Sequence, residues 1–105
     1  MGKGNIALYV IDNEPQYWFL LKDGDDLFLD LRVQASCVEY TALIRLTPEE
    51  KAEYAQTGHD YMVKLAESLN YYVETHRSRN IYKEYGDISY AAIMAWIAAN
   101  PDAER

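Results

Sequence analysis

From Leu27 onward, apolar and polar side chains alternate through most of twenty residues. Leu27, Leu29, Leu31 and Val33 point one way, while Asp30, Arg32 and Gln34 point the other. Val38, Tyr40, Ala42, Ile44 and Leu46 then alternate with Glu39, Thr41 and Arg45. A period of two puts successive side chains on opposite faces of a strand, so both runs predict antiparallel strands with one dry and one wet face. Residues 5–11 form an earlier apolar run, closed by the turn formers Asp12, Asn13, Glu14 and Pro15. Residues 16–22 form another, holding Tyr17, Trp18 and Phe19. Asp23-Gly24 supplies a hairpin turn between the second and third runs, because glycine accepts the positive φ a tight turn needs. Gln34, Ala35 and Ser36 predict a turn or bulge between the third and fourth. Four strands in series most simply make a β-meander.

At Thr47 the period changes. Thr47-Pro48-Glu49-Glu50 places a hydroxyl at the N-cap, proline at the first helical position and glutamate at the third, which is a capping box. The helix it opens should end near Gly58. A longer helix is expected over 60–75, with Tyr61 or Met62, Leu65, Leu69, Tyr72 and His76 as the stripe laid on the dry face of the sheet. Residues 77–86 read as a loop with at most one helical turn. Asp87 or Ser89 then caps a last helix ending before Pro101, which cannot continue it. From Ile88 to Ala99 that segment carries no charge. A helix apolar all round is buried inside a domain or against something outside it.

These elements predict an α+β fold: a four-stranded antiparallel β-meander followed by two or three helices packed on one face of the sheet. The 105 residues suit one domain. Ten Lys and Arg against 17 Asp and Glu give a net charge of −7, spread over both halves with no basic arm. Such a surface repels nucleic-acid phosphate and favours basic protein partners. No apolar stretch is long enough to cross a bilayer, and Met1-Gly2-Lys3-Gly4 opens nothing like a signal peptide. A single cysteine, Cys37, excludes an internal disulfide and suits the cytoplasm.

Candidate chemistry is sparse. Cys37 lacks a local nucleophile signature, and with His59 and His76 it makes no zinc spacing. Asp23-Gly24-Asp25-Asp26 has the composition of a calcium loop, yet Phe28 and Gln34 stand where glycine and glutamate are needed. No metal, cofactor or catalytic residue is therefore assigned. Ten tyrosines are the compositional outlier, and seven of them lie in the helical half. Tyrosine buries a rigid ring and still offers a hydroxyl, which is why recognition surfaces favour it. Tyr71 and Tyr72 are adjacent and cannot both face inward. Arg77, Arg79 and Lys83, interleaved with Tyr82 and Tyr85, form the one basic cluster, with His76 beside it. The candidate binding residues are Tyr71, Tyr72, His76, Arg77, Arg79, Tyr82, Tyr85 and Trp96.

These features predict a protein-binding module without enzymatic activity, engaging a protein partner or a second copy through the C-terminal helix. In size, charge and α+β make-up, though in no motif, the chain resembles the small acidic immunity proteins with which bacteria neutralise basic toxins. Two alternatives belong to other classes. One is a small-molecule or catalytic pocket lined by Trp18, Tyr40, Tyr72 and Trp96 with His76 as the polar group. The other is a homodimer of unknown role.

Overall fold

The computed structural model describes residues 7–35, 38–72 and 77–102. Strands β1 (Tyr9–Glu14), β2 (Trp18–Asp23), β3 (Asp26–Ala35) and β4 (Val38–Arg45) lie side by side in chain order, all antiparallel. Helices α1 (Pro48–Thr57), α2 (His59–Tyr71) and α3 (Tyr82–Ala99) follow. The meander and the α+β class are as the alternation predicts. Cys37, Ser36 and His76 fall outside the described residues, as does the end of the helix expected over 60–75.

Strand pairing sorts the side chains into two faces. Trp18, Leu31 and Ala42 stand opposite one another across β2, β3 and β4, and so do Leu20, Leu29 and Ile44. All six are at most 1% exposed. Met62, Ala66 and Leu69 of α2, spaced by four and three, close over this first face. Burying each large apolar side chain contributes roughly 1.5–3 kcal/mol, so this face is the main core. Helix α1 buries no residue fully but is well capped. The Thr47 hydroxyl accepts from the Glu50 N–H, the Glu50 carboxylate accepts from the Thr47 N–H, and Gly58 ends the helix at φ 77.

The second face is not wet, because it carries Phe19, Leu21, Phe28 and Leu43 among its polar groups. Leu21 and Leu43 are fully buried, and Phe28 is 4% exposed. Helix α3 lies over this face: Trp96 meets Phe19 edge-on at 5.8 Å, and the Ser89 hydroxyl donates to Asp30 Oδ2 at 2.6 Å. Helices α1 and α2 thus pack on the first face, as expected, and α3 adds a cover to the second. A second apolar face needs its own cover, and that need explains much of the charge-free run in α3.

Three further boundaries differ from the sequence reading. Strand β1 continues through Asp12, Asn13 and Glu14, past a register shift between Val10 and Asp12, because downstream side chains engage those carboxylates. The chain then turns at Pro15 and Gln16, where the Tyr17 N–H donates to the Glu14 carbonyl and Gln16 adopts φ 62. Helix α3 starts at Tyr82, well before Asp87 and Ser89. Its first turn is held from outside: Asn80 Oδ1 accepts from both the Tyr82 and the Leu43 N–H, and the Ile81 N–H donates to the Leu43 carbonyl. On the other side of the sheet, Asn70 of α2 accepts from the Gln34 N–H and donates to the Arg32 carbonyl.

Candidate functional site

Among the described residues, those that sequence singles out do not converge. Tyr71 and Tyr72 close α2 with their rings edge-on at 4.6 Å, 78% and 56% exposed. Arg79 is a structural clamp. Its guanidinium donates twice to the Glu50 carboxylate, at 2.7 and 3.0 Å, and once to the Arg45 carbonyl at 2.8 Å. Although burial pushes the Glu50 carboxyl up, Arg79 and the Thr47 N–H outweigh it and hold the group below the usual carboxylate value. Arg77 and Lys83 are exposed, and Tyr85 is half-buried. Tyr82 and Trp96 both belong to α3 but stand fourteen residues apart, about 21 Å along its axis, so one small ligand cannot reach both. The aromatic pocket drawn from Trp18, Tyr40, Tyr72 and Trp96 does not form. Trp18 and Tyr40 belong to the first face of the sheet, whereas Trp96 packs over the second.

What α3 does build is two surfaces that meet at Tyr90. Toward solvent it presents Tyr90 and Met94, 61% and 44% exposed, with Ala91, Ala95, Ala98 and Ala99 exposed beside them. These positions are spaced by three and four, so they form one strip. No charged residue interrupts it between Asp87 and Asn100. A solvent-facing helix strip is ordinarily charged or polar.

Toward the sheet, α3 roofs a cleft of about 440 Å³. Its sheet side carries Asp30, Arg32 and Thr41, with Gln16 at the turn. Aromatic rings come from Tyr17 and Phe19 below and from Tyr82 and Tyr90 on the helix, which also adds Ile93 and Ile97. Burial pushes the Asp30 carboxyl above the ordinary value, against the opposing pull of the Ser89 hydroxyl and Arg32. Burial likewise raises the Tyr82 phenol, with Asp30 adding to it. The cleft was missed because Asp30 and Arg32 look like routine solvent-facing positions of an alternating strand.

A third cluster sits where β1 meets the α1–α2 junction. The His59 ring lies between two carboxylates, Nδ1 at 2.9 Å from Asp12 Oδ1 and Nε2 at 2.7 Å from Glu14 Oε1. The Tyr54 hydroxyl donates to Asp12 Oδ2, and burial together with that carboxylate pushes the phenol up to about 12. Only protonated histidine donates from both nitrogens. Hydrogen bonding to Asp12 raises the His59 pKa above 6.5, with burial opposing and Glu14 adding to it. A raised histidine pKa stabilises the fold fully below the unfolded value and less as pH rises through the folded one. Unfolding by urea should therefore become easier above about pH 6.5, and His59→Gln should flatten that slope. An unchanged slope in the variant would show that the clasp contributes nothing. Among the described residues, no group of three His, Cys, Asp or Glu side chains is arranged to hold a metal ion, and no helix is long and apolar enough to cross a membrane.

No protein-family model, curated protein or solved structure matches the chain.

Proposed function

We propose that the protein is a non-enzymatic binding module whose contact surface is the outward strip of α3. The observation that carries this reading is the exposure of Tyr90 and Met94 on a charge-free helical strip. Water solvates such a strip poorly, and contiguous exposed apolar surface marks interaction sites. Tyrosine and methionine are also residues that interface centres favour.

Charge selects the kind of partner. Two copies of this chain would bring two net charges of −7 together, whereas a basic protein is attracted by the same field. The specific form of the reading is thus an inhibitor- or immunity-type protein acting on a basic partner in the cytoplasm. Its helix would seat in an apolar groove with a Lys- and Arg-rich rim.

Met94→Glu tests this. An exposed substitution should change stability by no more than about 0.5 kcal/mol, yet a charge in the middle of the strip should weaken partner capture roughly tenfold or more. Light scattering of the wild type should give the monomer mass of 12.1 kDa. Pull-downs from the source organism should recover a basic protein with the wild type and with Glu67→Lys on α2, but not with Met94→Glu. A dimer that Met94→Glu dissolves would transfer the strip to self-association. Capture indifferent to Met94→Glu would remove it from function altogether.

A further inference from the structure

The cleft beneath α3 shares Tyr90 with the strip above it and is otherwise lined by different residues. Its volume of about 440 Å³ falls within the range of small-molecule sites. β3 contributes its charges, Asp30 and Arg32, two residues apart on one face of the strand. α3 contributes its apolar wall, chiefly Ile93 and Ile97, with the Tyr82 ring beside Asp30.

Asp30 is half-buried where it stands. The Ser89 hydroxyl satisfies Oδ2, and a carboxylate accepts on both oxygens, which leaves Oδ1 facing the cleft without a protein donor among the described residues and open to solvent or a ligand. The wall next to it is strained. Gln16, which lines the cleft, is the one described non-glycine residue with positive φ, at 62°, a conformation that costs about 1 kcal/mol or more.

The two charges restrict what can enter. A simple cation finds Arg32 at the opening, and a simple anion finds Asp30. An uncharged apolar molecule would strip the remaining water from Asp30 without replacing it. A ligand carrying both signs close together meets none of these penalties. We infer that the cleft binds a small apolar zwitterion of the α-amino-acid type. The ammonium donates to Asp30 Oδ1, the carboxylate pairs with Arg32, and the side chain lies against Ile93 and Ile97.

Calorimetric titration of the full chain with leucine and with phenylalanine tests this, set against the matching amines and the matching deaminated acids. Saturable binding is expected, with amines and acids roughly tenfold weaker or worse. Asp30→Asn and Arg32→Gln should each weaken binding to a similar degree. Asp30→Asn can keep the Ser89 contact and removes a half-buried charge, so it should melt no lower than the wild type. If it fails to fold, Arg32→Gln decides alone, since that side chain is exposed. The proposal is overturned if nothing saturates up to about 10 mM, if an amine binds as tightly as its amino acid, or if the variants that fold bind like the wild type. None of these results depends on whether α3 also engages a protein.

Discussion

Leu43→Ala is expected to destabilise the fold by about 2–4 kcal/mol, the range for truncating a fully buried leucine. Leu43 is 0% exposed on the second face of the sheet, opposite Asp30 and beneath α3. Were that face wet, as a simple reading of the alternation holds, the same change would cost a few tenths of a kcal/mol. Urea unfolding followed by circular dichroism separates the two outcomes. Domains of this size have about 5–15 kcal/mol of stability in total, so the variant should unfold at a visibly lower midpoint. A shift as small as that of a surface mutation would mean that α3 does not cover the sheet in solution.

The second large effect concerns Arg79. Arg79→Ala should cost about 1.5–3 kcal/mol, less than the loss of a fully buried pair, because both side chains keep some solvent contact at 28% and 16% exposed. Three hydrogen bonds disappear together. The Glu50 carboxylate loses its paired donors, and the Arg45 carbonyl loses its own. Arg79→Lys should recover only part, since an ammonium cannot reproduce the two-pronged contact. Glu50 is an acid whose pKa is lowered in the folded state. Its stabilisation is present above the unfolded value of 4.5 and is lost as pH falls through the folded one. Unfolding titrations from neutral pH down to about pH 3 should show a steeper acid limb in the wild type than in Arg79→Ala. Parallel limbs would mean that the pair does not form.

Both predictions concern features that sequence showed in part and led away from. Leu27, Leu29, Leu31 and Val33 announce one buried face clearly. Phe28 and Leu43 break the polar side of the same pattern, and together with Phe19 and Leu21 they mark a second buried face. A strand buried on both sides has little alternation left to read. Arg79 sat among neighbours that resembled an anion grip, because the carboxylate it serves lies 29 residues upstream. The start of α3 is hidden for a related reason. Lys83, Glu84 and Gly86 have loop-like composition, and the Asn80 side chain that accepts from the Tyr82 N–H also bonds β4, a link only the folded chain makes. Gly86 itself is buried, and a Cβ there would meet the Tyr82 ring at 2.8 Å. Asp12 and Glu14 read as turn formers, yet they lie within a strand, where the His59 ring bonds both and the Tyr54 hydroxyl donates to Asp12. What sequence conveyed well was the capping box at Thr47 and the unusual character of α3. The cleft was legible in neither composition nor spacing, since it needs β3 and α3 placed face to face.

The two asparagines that bond the sheet from outside have a consequence for how the molecule behaves in a crowded solution. An open sheet ends in rows of unpaired backbone groups that can template a strand from another molecule. Asn70 offers β3 both an acceptor and a donor where that strand overhangs β2, as a neighbouring strand residue would. Asn80 and Ile81 do the same at Leu43 on β4, and Arg79 takes the Arg45 carbonyl just beyond. On β1, the register shift near Ile11 spoils the flat geometry that strand addition requires. A protein that displays an apolar strip of helix to its surroundings has thus blunted its sheet borders, which disfavours runaway strand pairing.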